Sequence, residues 1–364
     1  MKKKVLFILH LPPPIHGSSM VGKYIMDSSI INDGINSRFI NLGTSKSLDE
    51  IGKNPVKKIG VYLKIIFQTL KQLMVFRPDL VYIALTASGQ AFYKDTFIAL
   101  LAKLFGRKIV YHLHNRSMAE RQDKWLDVLI CNMLYKNTDV ILLSKYLYPE
   151  IQKYVPENRV HYCPNGIPKL SKTILARERK SSAEVQILFL SNLMKAKGVF
   201  VLLEACKILQ QKQLPFYCTF IGAQGDITFG MFQKKVVELG LLEKVHYAGK
   251  KYGAEKIEAF SEADIFAFPT LNETFGLVNL EAMQFSLPVV STLEGGIPDV
   301  IAQGETGFLV EKGNVEAFAE KLEILIKNDE LRLQMGETGR LRYNKNFTLR
   351  TFENSFLSII HKLK

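Results

Sequence analysis

The chain has 364 residues, more than one hydrophobic core usually spans, so its length predicts two domains. Hydrophobic residues make up 47% and charged residues 23%, which excludes a disordered or collagen-like chain. The formal net charge is +13, and residues 1–168 hold 23 Lys+Arg against 12 Asp+Glu, whereas residues 169–364 hold 25 against 23. The basic first half indicates an anionic partner, either nucleic acid or a membrane surface, unless the charge serves only solubility.

No segment has the roughly 18 uncharged apolar residues that a membrane crossing needs. The start, MKKKVLFILHLPPP, has the basic tip of a signal peptide, but its apolar run is short and no small-residue cleavage site follows. A first β-strand is therefore expected there. The four cysteines show no motif spacing, which indicates reduced thiols that serve packing in a cytoplasmic protein.

Short apolar runs alternate with helical patterns, as they do in the βαβ units of a parallel sheet. The first series predicts strands at residues 4–10, 80–85, 108–114 and 139–143. Residues 163–185 are then rich in Pro, Ser and basic residues, which is typical of a linker. The second series predicts strands at 186–190, 216–221, 244–247, 265–268, 287–291 and 307–310, with helices such as 198–212 and 316–328. We therefore expect two doubly wound α/β domains, with ligands at the carboxyl ends of the strands.

A candidate anion-binding loop follows the first strand, in LPPPIHGSSMVGKYI. Gly17, Ser18 and Ser19 precede an apolar helical pattern; glycine lets a ligand approach the backbone, and a helix start offers unpaired N–H groups. The serines could instead cap that helix. The loop matches neither G-x-G-x-x-G nor a P-loop, so it does not indicate a nicotinamide or ATP site.

Two histidines lie at the end of the strand predicted at 108–114, in the stretch YHLHNRS. His112 and His114 share one face of an extended strand, a spacing that permits a metal site. No third ligand, H-E-x-x-H or Asp-x-Asp accompanies them, so no metal is expected. His114, followed by Asn115 and Arg116, is better placed to contact a polar ligand, and His112 for a structural role.

A lysine pair lies in the strand–loop–helix segment FLSNLMKAKGVFVLLEA. Lys195 and Lys197 precede Gly198 and an amphipathic helix. A lysine beside a helix N-terminus favours phosphate binding, although solvated loop lysines are the alternative.

Two glutamates lie in the segment FPTLNETFGLVNLEAM. Glu273 is in a loop, Gly276 permits a tight turn, and a helix is predicted from about Leu277 to Phe285. Glu281 lies on that helix, where a carboxylate can accept hydrogen bonds from a diol such as a ribose. A surface charge is the alternative for each glutamate alone.

Together these segments resemble the retaining family-four glycosyltransferases of GT-B fold. The resemblance rests on Glu273-x7-Glu281 with its continuation EAMQFSLPVVSTLEGGIPDVIAQGETGFLV, and on the Gly17 loop, HLHN, SKYLYPEI, PNGI and KAKG, in the expected order along nearly the whole chain. It implies two Rossmann-like domains that face each other across a cleft. Their expected bounds are 1–168 for the acceptor side and 186–345 for the donor side, with a linker at 169–185 and a helix within 346–364 that packs back on the first domain.

The resemblance also implies how a sugar-nucleotide donor would be bound. Lys197 would contact the diphosphate, Glu281 the ribose hydroxyls and Glu273 the donor sugar. His114 would face the transferred sugar, so that His114 and Glu273 are the implied catalytic positions. The backbone groups implied near the sugar and phosphates are those of Gly17, Phe275, Gly276, Leu277 and Val278.

One position departs from the family's pattern, because Ser191-Asn192-Leu193 stands where the family usually has Gly-Arg-Leu. Asn192 in the donor site lacks the arginine's charge, so Lys197, assisted by Lys195, would carry more of the phosphate contact. A lysine and helix dipoles can stabilise the leaving diphosphate without metal, and no cofactor is expected. Retention is implied to come from attack on the leaving-group side, with a donor phosphate oxygen taking the acceptor's proton and neither glutamate acting as nucleophile.

The basic first half fits this resemblance. Residues 55–78 and 92–108 mix basic with apolar side chains, as in helices that lie on an anionic membrane or in core helices with lysine flanks. A lipid-linked or saccharide acceptor in surface polysaccharide or lipopolysaccharide synthesis would place the protein peripherally at the inner membrane face. The alternatives are a sugar-nucleotide epimerase or hydrolase, a non-catalytic sugar-nucleotide-binding subunit, and a nucleic-acid-binding protein. The lack of an aromatic stacking platform disfavours the last.

Overall fold

A computed structural model describes residues 2–14, 16–43, 55–87, 89–171 and 183–363. Residues 172–182, which are most of the predicted linker, lie outside the described residues. The chain divides into two compact units: unit 1 comprises Met1–Asn165 and Leu349–Lys364, and unit 2 comprises Gly166–Thr348. Each unit contains one parallel sheet, which confirms the predicted class of two doubly wound α/β domains.

In its described residues, unit 1 contains six parallel strands and five α-helices before the chain leaves it. The strands are β1 (Lys4–Leu9), β2 (Asn36–Asn41), β3 (Leu80–Ile83), β4 (Lys108–Leu113), β5 (Asp139–Leu142) and β6 (Val160–Tyr162). The helices are α1 (Gly17–Asp27), α2 (Ser29–Gly34), α3 (Pro55–Val75), α4 (Gly89–Leu104) and α5 (Trp125–Tyr135). The strand order is β2-β1-β3-β4-β5-β6, so the four predicted strands form the interior of the sheet.

The two strands that the sequence did not predict, β2 and β6, lie at the two edges of this sheet. In β2 only Ile40 is fully buried, and in β6 only Val160. An edge strand that is covered on one side carries polar residues, so it lacks the continuous apolar run that marks the interior strands.

Unit 2 repeats the same architecture. Its strands are β7 (Val185–Leu190), β8 (Phe216–Ile221), β9 (Val245–Tyr247), β10 (Ile265–Phe268), β11 (Val289–Thr292) and β12 (Gly307–Val310), in the order β12-β11-β10-β7-β8-β9. Its helices are α6 (Val199–Gln211), α7 (Phe229–Glu238), α8 (Gly253–Glu262), α9 (Leu277–Gln284), α10 (Ile297–Val300), α11 (Val315–Lys327) and α12 (Asp329–Asn346). The six strands predicted for this half are all present.

The last helix, α13 (Leu349–Lys362), belongs to unit 1 although it follows unit 2 in the sequence. Its buried face, with Phe352, Phe356 and Ile360, joins the core that Phe7 of β1 and Tyr82 of β3 form. The ring centroids of Tyr82 and Phe356 are 5.4 Å apart. The final segment of the chain therefore completes the core of the first unit.

The strand order places a reversal point in each sheet. The chain leaves β1 toward β2 but continues on the other side of β1 with β3, and it leaves β7 toward β8 but returns to the other side of β7 with β10. The loops that follow such a strand pair diverge to opposite faces of the sheet and leave a crevice at its carboxyl edge, where ligands of these folds bind.

Candidate functional site

The loops after β7 and β10 meet at the reversal point of unit 2. Ile265 pairs with Ile187 in the sheet, so the segments 191–198 and 269–276 leave it side by side. The backbone N–H of Leu271 and the hydroxyl of Thr270 both donate to the carbonyl of Ala196, at 2.8 and 3.1 Å. These bonds hold the lysine-bearing loop and the glutamate-bearing loop together.

Gly198 allows this close approach. Its φ is +75°, and a Cβ built on it would lie 1.8 Å from the carbonyl oxygen of Pro269. Only glycine combines that backbone conformation with room for the neighbouring backbone. The glycine therefore fixes Lys197, the preceding residue, against the second loop.

Lys197 and Glu273 form an ion pair between the two loops. Lys197 Nζ donates to Glu273 Oε2 at 3.0 Å and to the Asn272 carbonyl at 3.1 Å. About one fifth of each side chain is exposed, 22% for Lys197 and 20% for Glu273. Glu273 Oε1 accepts a hydrogen bond from the backbone N–H of Thr274 at 2.8 Å, which orients the carboxylate. The structure thus brings together two residues that are 76 positions apart in the sequence.

Helix α9 begins directly after this ion pair. Gly276 is its N-cap, with φ +77°, and no side chain caps the first turn. Phe275 and Gly276 are buried, whereas Leu277 and Val278 are half-buried. The first N–H groups of a helix lack intrahelical partners and carry the positive end of its dipole. This turn, beside a lysine, is a site where an anion can be bound.

Asn279, in the first turn of α9, was not singled out from the sequence. It is fully buried, and neither its Oδ1 nor its Nδ2 has a hydrogen-bond partner. Buried amides are normally hydrogen-bonded, so an unpartnered one is typical of a position with a role beyond packing.

Glu281 lies one turn further along α9. Its Oε1 accepts a hydrogen bond from Lys256 Nζ of α8 at 2.7 Å, and both side chains are 29% exposed. Leu280, Ala282 and Met283 on the same helix are fully buried. The apolar residues seat the helix against the sheet, while the half-buried carboxylate is held by a lysine that sequence reasoning missed. Lys256 lies 25 residues before Glu281, and no local pattern links the two.

The loop after β11 supports Glu273 from its other side. Gly296 N–H donates to the Thr274 carbonyl at 2.8 Å, and a Cβ on Gly295 would lie 2.1 Å from the carbonyl oxygen of Glu273. The sequence does not predict this contact between the glycine pair and Glu273, because the two segments belong to different loops.

Replacement of Gly295 by alanine is expected to destabilise unit 2 more than replacement of Gly304. Both glycines have positive φ, +53° and +77°, so each alanine costs about 1–2 kcal/mol in backbone strain. Only Gly295 would also force its new methyl against Glu273, since nothing lies within 4 Å of the Gly304 position. Calorimetry should show a melting temperature about 2–8 °C lower for Gly304→Ala and at least about twice that drop for Gly295→Ala. Equal drops would show that the contact is relieved without cost.

Two other predicted residues of unit 2 lie at its surface. Asn192 is exposed in the loop after β7. The Lys195 side chain is also exposed, and the Lys195 backbone N–H donates to Asp226 Oδ1 at 2.9 Å. Neither side chain takes part in the ion pair of Lys197.

In unit 1 the helix that follows the Gly17 loop is capped by residues of the same segment. Gly17 begins α1, His16 Nδ1 accepts from the Ser19 N–H at 3.3 Å, and Ser19 Oγ accepts from the His16 N–H at 3.0 Å. The N-cap of this helix is therefore His16 rather than a serine, and Ser19 completes the capping box from the third position of the helix. Gly17 itself is exposed at the helix start.

His114 lies directly after β4, next to His112, with the two ring centroids 4.0 Å apart. Burial, with smaller contributions from His10 and His16, lowers the pKa of His114 to about 3, so the ring is neutral near pH 7. Its Nδ1 is buried and unpartnered. His112 is fully buried, and its Nδ1 lies 2.8 Å from the Tyr82 hydroxyl, which is a structural role.

His10, at the end of β1, was also missed from the sequence. Its Nε2 lies 3.2 Å from Thr86 Oγ1 and 4.0 Å from the buried carboxylate of Asp95. Burial lowers the pKa of His10 to about 4 and raises the pKa of Asp95 to about 6. His10, Thr86 and Asp95 therefore form a polar cluster at the reversal point of the sheet of unit 1.

Two kinds of feature are absent from the part of the chain that the structure describes. Among the residues that the structure describes, no group of three or more His, Cys, Asp or Glu is arranged to hold a metal ion. Within the same described ranges, no helix combines the length and apolarity needed to cross a membrane.

Residues 171–342 match the family described as glycosyl transferases group 1. The capsular polysaccharide biosynthesis glycosyltransferase CapM of Staphylococcus aureus is 31% identical over 184 residues, which are 46% of this chain and 46% of CapM. The match therefore spans about half the length of that curated relative.

Solved structures match over both units. The crystal structure of HepE from Anabaena in complex with UDP is similar with a TM-score of 0.76 and 18% identity, over 99% of each chain. WaaG, a glycosyltransferase involved in lipopolysaccharide biosynthesis, gives a TM-score of 0.69 and 18% identity, over 98% of this chain and 100% of WaaG. These likenesses concern the fold.

Proposed function

We propose that this chain transfers a sugar from a nucleoside-diphosphate sugar to an acceptor hydroxyl. The proposal starts from its membership of the family-four glycosyltransferases of GT-B fold. The observation that carries the proposal is the Lys197–Glu273 ion pair at the uncapped start of α9. It combines a cation, a carboxylate and backbone N–H groups at the reversal point of the sheet, which are the groups that a diphosphate and a sugar require.

The leaving group in this reaction is a nucleoside diphosphate. We assign its stabilisation to the Lys197 ammonium and to the backbone N–H groups of Phe275, Gly276, Leu277 and Val278. Such fixed donors stabilise the negative charge that develops as the sugar–phosphate bond breaks, and they need no metal ion. Asn192 is exposed and carries no charge, so it does not replace the family's arginine. Lys197 therefore makes the larger share of the contact with the phosphates.

The ribose is assigned to Glu281. A carboxylate can accept a hydrogen bond from each of two neighbouring hydroxyls, and the salt bridge from Lys256 holds the Glu281 side chain in one orientation.

The transferred sugar is assigned to Glu273, and the resemblance implies His114 and the backbone of Gly17 as further contacts of the donor. The neutral His114 ring offers a hydrogen bond rather than a charge. The acceptor oxygen forms the new bond to the anomeric carbon on the side from which the diphosphate leaves, and a donor phosphate oxygen takes the acceptor's proton. The configuration at the anomeric carbon is then retained, and the glutamates position the donor without attacking it.

The acceptor is proposed to be a saccharide or a lipid-linked saccharide of surface polysaccharide or lipopolysaccharide synthesis. The likeness to CapM, whose name refers to capsular polysaccharide, supports this choice. We place the protein at the cytoplasmic face of the membrane, where sugar nucleotides and lipid-linked acceptors meet.

A thermal-shift panel of uridine, guanosine and adenosine diphosphates and their sugars, in buffer with EDTA, tests the donor site. One nucleoside diphosphate and its sugars should raise the melting temperature by several degrees, because about 100 Kd of ligand stabilises a protein by about 2.7 kcal/mol. The matching nucleoside without phosphates should give a much smaller shift. No shift with any diphosphate in the panel would contradict the proposal.

A further inference from the structure

Helices α3, α4 and α5 form one layer on one face of the sheet of unit 1. The connections from β2 to β3, from β3 to β4 and from β4 to β5 all step in the same direction, and right-handed crossovers therefore place their helices on the same face. Direct contacts join the layer: Tyr62 of α3 donates to the Lys94 carbonyl of α4 at 2.8 Å, and Tyr93 of α4 donates to Asp127 Oδ1 of α5 at 2.7 Å. The outward sides of the three helices are therefore adjacent.

These outward sides expose large apolar residues, mostly at intervals of four positions, so that they form a stripe along each helix. Leu104 is 82% exposed, Trp125 79% and Phe67 69%. We call the following residues the three-helix surface: Ile59, Leu63 and Phe67 of α3, Tyr93, Phe97 and Leu104 of α4, and Trp125, Leu129 and Met133 of α5. Scattered apolar residues are normal on a protein surface, but three adjacent stripes mark an interaction site.

The exposed charges on the three helices themselves have one sign. The sequence of α3 contains no acidic residue, and the acidic residues of α4 and α5, Asp95 and Asp127, are 0% and 1% exposed. Exposed lysines flank the stripes, namely Lys64, Lys71, Lys124 and Lys136. Two exposed carboxylates, Glu120 and Asp123, precede α5 in the sequence. The surface thus offers aromatic and aliphatic side chains within a cationic border.

This combination fits an anionic lipid bilayer. Apolar and aromatic side chains enter the boundary between headgroups and acyl chains, while lysines at the same level contact anionic headgroups. A second copy of the chain fits poorly, because a two-fold contact through the same surface would bring the lysines of the three helices against each other, and these helices expose no carboxylate to pair with them.

We propose that the three-helix surface docks the protein onto an anionic bilayer, with Phe67, Phe97 and Trp125 inserted at the interface. The inference extends the proposed function, since it supplies the surface by which the enzyme reaches a lipid-linked acceptor, but the contact with lipid requires neither donor nor acceptor. It also adds α5 to the two basic segments that the sequence had indicated.

Co-sedimentation of the full chain with vesicles tests the docking. Vesicles of phosphatidylcholine with about one third phosphatidylglycerol should bind the protein, and pure phosphatidylcholine should bind it at least about tenfold more weakly. The variant Phe67→Ser/Phe97→Ser/Trp125→Ser should lose at least about tenfold in affinity for the anionic vesicles. All three side chains are exposed, so its melting temperature should stay close to that of the parent.

The matched control removes exposed apolar residues from unit 2, as Leu242→Ser/Leu333→Ser/Leu341→Ser. These side chains are 55%, 60% and 67% exposed, and the control should bind vesicles as the parent does. Docking onto the bilayer is overturned if both variants lose the same affinity for vesicles, or if the parent does not bind anionic vesicles. It is also overturned if light scattering shows that the parent is a dimer and that only the first variant is a monomer. The thermal shift with a nucleoside diphosphate is measured on the same variants, so a failure of lipid docking is distinguishable from a failure of the donor site.

Discussion

Replacement of Lys197 by methionine is expected to lower kcat/KM for the donor by about 100- to 1000-fold, the loss typical of a group that stabilises developing charge. Methionine keeps much of the side chain's length but removes the ammonium that lies 3.0 Å from Glu273 and beside the start of α9. The leaving diphosphate then loses its nearest cation. Steady-state kinetics with varied donor and fixed acceptor measure the effect.

Lys195 provides the matched control, because it belongs to the same short 3-10 turn as Lys197 and its side chain is exposed. Lys195→Met should change kcat/KM by only about twofold, as expected for a solvent-screened charge. The loop should survive both changes, since backbone hydrogen bonds to Ala196 hold it, and equal melting temperatures check this. Similar losses of kcat/KM in the two variants would show that the overall charge of the loop, rather than Lys197 itself, stabilises the phosphates.

Replacement of Glu281 by glutamine is expected to weaken binding of the matching nucleoside diphosphate by about 10- to 100-fold. Hydrogen bonds to a charged acceptor contribute about 1.5–3 kcal/mol, and the amide keeps the shape of the side chain without its charge. Calorimetric titration measures the affinity. The same titration with the 2′,3′-dideoxy nucleotide should show weak binding to the parent and no further loss in the variant.

The variant Lys256→Met removes the ammonium group that forms the salt bridge with Glu281. It therefore distinguishes the contribution of the carboxylate from that of the lysine that orients it. The carboxylate remains, so the affinity should fall less than in Glu281→Gln, by about tenfold at most. The ribose assignment is wrong if Glu281→Gln binds the nucleotide as tightly as the parent does, or if both proteins distinguish the dideoxy compound equally.

Much of the fold could be predicted because interior parallel strands are buried on both faces. Residues 4–10 and 265–268 show this as continuous apolar runs, and both positions carry strands. The edge strand β2 could not be predicted in the same way, since its sequence, NSRFIN, contains only two apolar residues and the strand is defined by its pairing with β1. Pairing of this kind is a tertiary property that no local window contains.

The candidate site was predictable where its chemistry lies in one segment. Glu273, Gly276 and Glu281 share one loop and helix, so spacing indicated a ligand site. The partners Lys256 and Gly295 come from other elements, and only the sheet order places them beside the glutamates. Asn279 was missed because a buried unpartnered amide is visible only once burial and hydrogen bonds are known.

Transfer of a sugar from a nucleotide donor to an acceptor can be measured directly. The assay follows release of the nucleoside diphosphate and incorporation of labelled sugar, with and without an acceptor-containing membrane fraction, in buffer with EDTA. We expect that release requires the acceptor, equals incorporation and yields a product with the anomeric configuration of the donor. Full turnover without acceptor, as a hydrolase or epimerase would give, would contradict it.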